Sequence, residues 1–203
     1  MNFRQLTVLD TQKFCDLIID MYAHLENLEW FTPMPFDYQS VKGMIEKPRF
    51  YIIGAFEGDK LCGVSSLDYK CGKLIGVINF PAECNTDKLV EIAFTMVHSS
   101  CRGKGLMKQM INFLLEKIKN DGFEWAFSKV HQNNIASLKS LFHNNFEVFS
   151  NYTKPVNKDD FISLSSQDFF SPQGKENAIQ TLSKYGLDDD KIFVDYYMLI
   201  KKL

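Results

Sequence analysis

Two stretches of this 203-residue chain carry side chains whose type and spacing suit chemistry. The first is Arg102-Gly103-Lys104-Gly105, set directly before a helical run in which Leu106, Met107, Met110, Ile111, Leu114 and Ile118 recur at spacings of three and four. The first turn of a helix has unpaired N–H groups and the positive end of the helix dipole, and both attract phosphate oxygens. Gly103 and Gly105 let a ligand come close to those N–H groups, and Arg102 and Lys104 add positive charge beside them. The segment is built like a pyrophosphate cradle; the plainer reading is a helix start with solvated charges. The second is Glu91, which with Thr95 interrupts the otherwise apolar run Leu89–Val97. Burial in such a strand raises a carboxylate toward the range where it accepts a proton at neutral pH, as a general base must. The competing reading pairs Glu91 with a lysine or turns it to solvent at the sheet end.

Other phosphate loops do not fit. No GxxxxGK[ST] string occurs, and a GxGxxG fingerprint begun at Gly103 and Gly105 meets Lys108 at its last position. Nor does a metal site suggest itself. Cys15, Cys62, Cys71, Cys84 and Cys101 are odd in number, with no CxxC pair, and His98 with Cys101 supplies only two ligands. Reduced, mostly buried thiols are expected.

The elements that must position these residues read as mixed α/β. A strand over Phe3–Val8 leads to Asp10, a candidate N-cap, and to a helix with Phe14, Leu17, Ile18, Met21 and Leu25 on one stripe. Trp30–Phe36 is an aromatic loop broken by two prolines, and a short helix follows over about 37–46. Strands are predicted at Phe50–Phe56, Leu61–Tyr69, Leu74–Phe80 and Leu89–Val97, the first two joined by a hairpin turn at 57–60. The last of them is apolar enough for a central position covered on both faces. A helix over 104–120 closes at Gly122, a strand covers Glu124–Val130, and a helix over Asn134–Asn144 places Ile135, Leu138, Leu141 and Phe142 on its apolar stripe. Strands at Phe146–Lys154 and Ile192–Ile200 flank a polar stretch of about 156–191, with a helix expected near 176–184.

Composition bounds the answer. At 45% hydrophobic and 24% charged residues the chain is globular rather than disordered or fibrous, and its length suits a single domain over 1–203 with the 156–191 stretch as a polar insertion. A net charge of -2 argues against a basic nucleic-acid-binding surface. No run is long and apolar enough to span a membrane, and the first twenty residues lack a signal layout. A cytoplasmic protein, monomer or homodimer, with no nucleic-acid or membrane partner is expected.

The order strand, polar loop, Arg-Gly-Lys-Gly, helix resembles the acetyl-CoA signature R/Q-x-x-G-x-G/A of the GNAT superfamily of N-acetyltransferases, read here over Arg102–Met107 with Leu106 and Met107 at its end. Met107 replaces the final small residue. A second block, Asn134-Ile135-Ala136-Ser137 and then Asn145-Phe146, resembles the family's N-x-x-[AS] helix and Gly-Phe turn, with Asn145 where Gly is usual; Asn is the next-best residue for a left-handed position. The resemblance implies an α/β, GNAT-like acyl-CoA N-acyltransferase fold: a mixed, twisted sheet, helices on both faces, and parallel middle strands (89–97 and 124–130) that splay to admit a pantetheine arm. It implies transfer of an acetyl group from acetyl-CoA, as co-substrate and with no metal, to a primary amine of a small molecule or peptide in a ternary complex. By the same resemblance Glu91, in an E-I-x-F-x-x-V setting, is the base, backbone groups of Met96 and Val97 hold the arm, and Asn134 and Ser137 border the cofactor.

The family's usual tyrosine acid is absent, since its neighbourhood reads Leu141-Phe142; Ser137, Ser140, Tyr152 or solvent remain. Trp30, Phe31 and Phe36 line the acceptor site by resemblance, or simply form a lid on the core. The alternatives in other classes are a non-catalytic acyl-CoA-binding regulatory module and a nucleotide-binding or purely structural α/β domain.

Overall fold

The computed structural model describes residues 1–25, 27, 30, 34–70, 77–157 and 191–203. Among them the chain runs β1 (Asn2–Gln5), α1 (Thr11–Ala23), α2 (Tyr38–Glu46), β2 (Phe50–Glu57), β3 (Lys60–Asp68), β4 (Leu89–Val97), α3 (Leu106–Asn120), β5 (Trp125–His131), α4 (Ile135–Phe142), β6 (Glu147–Asn157) and β7 (Lys191–Lys202). The strands form one sheet in the order β1-β2-β3-β4-β5-β7-β6. The β4–β5 pair is parallel and the other pairs are antiparallel.

Strand alternation sorts side chains to two faces. On one face, Ile52, Val64, Met96 and Tyr196 pack with the α1 stripe of Phe14, Leu17, Ile18 and Met21. On the other, Ile53, Leu67, Val90 and Ile92 pack under α3 and α4. Helices therefore cover both faces, as expected. Each fully buried side chain of the α1 stripe contributes about 1.5–3 kcal/mol. Asp37 caps α2, its Oδ1 accepting from the Ser40 N–H at 2.9 Å. Gly58 and Gly122, at φ +59° and +81°, turn the β2–β3 hairpin and close α3.

The feature that matters most for function is a fork in the middle of the sheet. β4 and β5 pair only at Leu89↔Trp125, Val90↔Ala126 and Glu91↔Phe127. At the next position the Ser128 hydroxyl donates to the Ile92 carbonyl at 2.9 Å, in the place of a ladder bond. Beyond it no further β4–β5 pair forms among the described residues, in keeping with the splay that the resemblance implied.

Four sequence expectations need correction. β1 ends at Gln5, because Val8–Asp10 form a 3-10 turn. Asp10 occupies the N-cap position of α1 but does not cap it: its carboxylate turns back to Arg4 at 2.7 Å and to the Thr7 N–H at 2.9 Å. Of the strand predicted at Leu74–Phe80, residues 74–76 lie outside the described residues and Val77–Phe80 are not strand. Phe80 instead packs against Phe127 and Phe149, at ring-centroid distances of 5.2 and 5.3 Å. On α4, Leu138 and Leu141 are buried as predicted, whereas Ile135 and Phe142 are 53% and 46% exposed. Ser137 takes an inward position that the apolar pattern had assigned to them.

β6 and β7 reach further than predicted and pair as far as Asn157↔Lys191. The helix expected near 176–184 lies outside the described residues. Among the described residues no helix is long and apolar enough to cross a membrane, and no cluster of three or more His, Cys, Asp or Glu is placed to hold a metal.

Candidate active site

The β4–α3 junction forms one wall of a cavity of about 310 Å³. Gly103 and Gly105 have φ values of +77° and +68°, and Gly105 is the N-cap of α3. A left-handed N-cap lets the chain turn abruptly from the loop into the helix, whose first-turn N–H groups have no acceptor within the helix. A Cβ at either glycine would meet nothing of the protein within 4 Å. The glycines are thus required first by backbone conformation and only then by ligand approach. Arg102 donates through Nη1 to the His24 carbonyl at 3.2 Å and through Nε to the Val97 carbonyl at 3.4 Å.

The same cavity is lined by Met96, Val97, Arg102, Gly103, Gly105 and Leu106. Across the fork, Asn134 caps α4 through Oδ1, which accepts from the Ser137 N–H at 3.1 Å. Asn145 adopts the left-handed conformation expected of it, at φ +58°. The residues and open backbone present here fit a diphosphate and an amide-bearing arm: N–H groups at a helix start, an adjacent guanidinium, and a β4 edge that, among the described residues, pairs with β5 only as far as Glu91.

A second cavity, of about 290 Å³, runs through the fork, from Met44 of α2 to Met107 and Ile111 of α3 and Leu141 of α4. Its walls are apolar at Met34, Met44, Phe50 and Phe94, and it also contains Asp68, Glu91, Lys129 and Tyr196. Glu91 is 8% exposed and is the last residue of the parallel pair, so its carboxylate stands where the fork opens. Asp68 lies directly across the β3–β4 pair from it. Two carboxylates facing each other across a strand pair repel. Arg49 offsets this by gripping Asp68 through Nε, at 2.7 and 2.9 Å, and through Nη2. Lys129 Nζ sits 5.2 Å from the centre of the Tyr196 ring. Met34 is held in the wall by Tyr22 of α1, whose hydroxyl accepts the Met34 N–H at 2.6 Å. Burial pushes that phenol up to about 12.

The two cavities meet at Trp30, Thr95, Met107, Asn134 and Ser137, which line both. Among the described residues the Trp30 indole Nε1 is buried without a hydrogen-bond partner. The structure therefore brings Glu91, Trp30, Asn134, Ser137, Met107 and the Met96–Val97 backbone to one cleft. Lys104 is exposed, and neither it nor Phe36 lines either cavity; Phe36 packs partly buried against the α1 core. Phe31 lies outside the described residues. Of the hydroxyls weighed as acid, Ser137 and Ser140 line the cofactor-side cavity and Tyr152 does not. His131 is buried edge-on to Tyr196 and His98 caps a turn, so neither lines the cleft. Sequence reasoning missed Tyr22, Asp68, Thr95 and Tyr196. Only Asp68 carried a signal, as a carboxylate near the end of a predicted strand.

The family model described as "Acetyltransferase (GNAT) family" matches residues 13–141. No curated protein matches the chain. Among solved structures, the chain is similar to a ribosomal-protein-alanine N-acetyltransferase from Brucella melitensis, with 14% identity, 100% of each chain covered and a TM-score of 0.65. An N-acetyltransferase from Staphylococcus aureus Mu50 has 15% identity, with 99% of this chain and 97% of that one covered, at 0.63. YncA from Salmonella typhimurium, solved with its cofactor acetyl-CoA, has 13% identity, with 100% of this chain and 93% of that one covered, at 0.63. At these identities the likeness is one of fold.

Proposed function

This chain belongs to the acetyltransferase (GNAT) family, and from that membership we propose an N-acetyltransferase that moves an acetyl group from acetyl-CoA to a primary amine of a small molecule or peptide within a ternary complex. The observation that carries this reading is the pair of cavities meeting at the strand fork, one against the glycine turn of α3 and the other around Glu91. Bound acetyl-CoA supplies an activated thioester carbonyl, to which the amine nitrogen bonds as the carbon–sulfur bond breaks.

The residues divide the remaining work. Glu91 accepts the proton that the acceptor ammonium must lose, directly or through water. The Met96 and Val97 backbone holds the pantetheine arm and polarises the thioester carbonyl. The first-turn N–H groups of α3, with Arg102 and Lys104 beside them, take the diphosphate. Asn134 and Ser137 border the arm from α4. Trp30 and Phe31 belong to the acceptor side, with Phe36 packed on the α1 core, and apolar walls beside Asp68 and Glu91 favour an amine over an anionic acceptor. The departing thiolate takes its proton from a serine hydroxyl or solvent, being itself a fair leaving group. We further propose a single domain over 1–203, monomeric or homodimeric and cytoplasmic, acting without a metal, nucleic-acid or membrane partner.

Two measurements test this. Calorimetric titration with CoA should give saturable binding, and an absence of binding would reject the cofactor site. Thiol release from acetyl-CoA, followed across a panel of amines, antibiotics and peptides, should find an acceptor. Binding without release for any of them would leave an acyl-CoA-binding module in place of an enzyme.

A further inference from the structure

The loop from His98 to Gly105 presents the glycine turn, yet its regular structure is one 3-10 turn, Ser99–Cys101. Cys101 anchors it in the core at 2% exposed. Lys60 Nζ donates to the Ser100 hydroxyl at 2.7 Å and the His98 N–H to the Cys62 carbonyl at 2.9 Å, and a further hold comes from Asp20 on α1, far away in sequence. Asp20 Oδ2 accepts from the Ser99 N–H at 2.7 Å, and Oδ1 accepts from the Ser99 hydroxyl at 2.7 Å. Both oxygens are thus committed to one residue, in charge-assisted bonds. The Ser99 N–H opens the 3-10 turn, where no acceptor within the turn exists. The next N–H, that of Ser100, is taken by His98 Nδ1 at 3.2 Å.

Asp20 is also the point where both sides converge: His24 Nδ1 and His98 Nδ1 approach its carboxylate at 3.4 and 3.7 Å. His24, one turn further along α1, receives Arg102 on its carbonyl. The end of α1 therefore grips the loop at Ser99 and Arg102, on either side of Cys101 and immediately before Gly103.

We infer that Asp20 is a positioning residue for the pyrophosphate turn, fixing Ser99 and through it the orientation of Gly103–Gly105 and the start of α3. The inference rests on the cofactor reading above. Asp20 does not line either cavity; its action passes through Ser99. Because α1 leads directly into the loop that holds Trp30 and Met34, the same anchor ties the cofactor turn to the acceptor wall.

The test compares CoA with pantetheine, which keeps the arm and lacks the diphosphate, by titration of the wild type, Asp20→Ala, Ser99→Ala and Asp10→Ala. Asp20→Ala should weaken CoA about tenfold, the scale of one lost charge-assisted bond, and leave pantetheine within about twofold. Ser99→Ala should act in the same direction and less. Asp10→Ala, which breaks an ion pair near the opposite end of α1, should leave both ligands as they are. Unchanged CoA affinity in Asp20→Ala overturns the inference. So does equal weakening of CoA and pantetheine, or an equal CoA loss in Asp10→Ala. If Asp20→Ala does not fold, Ser99→Ala decides, and wild-type affinity there overturns it. A wild type that binds no CoA brings down the cofactor reading and this inference together, whereas wild-type binding with unaltered variants removes only the role of Asp20.

Discussion

Glu91 and Asp68 stand opposite one another across the β3–β4 pair, and Arg49 grips Asp68 through its guanidinium. The Asp68–Arg49 pair ties the end of β3 to the residue before β2, and Glu91, at the fork, is proposed as the base. Glu91→Gln should lower kcat by about a hundredfold or more, the scale of lost general-base catalysis, with CoA affinity unchanged. Wild-type turnover in that variant would remove Glu91 from the mechanism. Asp10 makes a separate prediction about stability. Hydrogen bonds from Arg4 hold its carboxyl at about 2, below its ordinary 3.8. A depressed carboxylate contributes stability above its unfolded pKa and loses it as pH falls through the folded one. Asp10→Asn should therefore cost about 1–2 kcal/mol near neutrality, a range reduced because Arg4 is 42% exposed, and the gap should close between about pH 4 and 2. Urea unfolding of both proteins across that range measures it. The residues legible in the sequence were those whose role is written in their own neighbours, such as Gly103, Gly105, Asn134 and Asn145. Asp20, Tyr22 and Tyr196 act through contacts that only the chain's path creates, so no local pattern announced them.

At the scale of elements, α3 carries the sharpest prediction. Gly105 combines the N-cap position with a positive φ, so Gly105→Glu places backbone strain of about 1–2 kcal/mol and a carboxylate at the same spot. CoA binding should be abolished, and retained affinity in a titration would reject the assigned turn. On α4, Asn134→Ala removes the cap and should cost about 1 kcal/mol by denaturant unfolding. A simultaneous loss of CoA affinity would mark Asn134 as more than a cap. Long periodic helices and the β2–β3 hairpin were readable because burial repeats along them. The predicted stripe of α4 was misread because eight residues give barely two turns, too few for the pattern to exclude Ile135 and Phe142. Val77–Phe80 misled for a related reason: an apolar segment records burial, and Ile78 is buried and Phe80 packs on Phe127 without a strand.

For the whole molecule, a cleft through the centre of the sheet means that ligand and fold share one set of contacts. CoA at a hundred times its Kd should add about 2.7 kcal/mol to unfolding, or about 5–10 °C in Tm for a chain of this size. A thermal scan with and without CoA reads this directly, and an unmoved Tm would argue against a site within the sheet.

The fork has one further consequence. A strand with an unpaired flank normally invites another polypeptide to zip onto it, which is why such flanks on protein surfaces are shielded. The flank of β4 beyond Ile92 is instead recessed between the start of α3 and α4, and the stitches at Leu89–Glu91 close its inner end. A cavity of about 310 Å³ at that place suits a slender molecule with a few amide groups better than the full length of a second strand. The protein thus keeps an adhesive edge without the risk of aggregation that edge would carry on its outside.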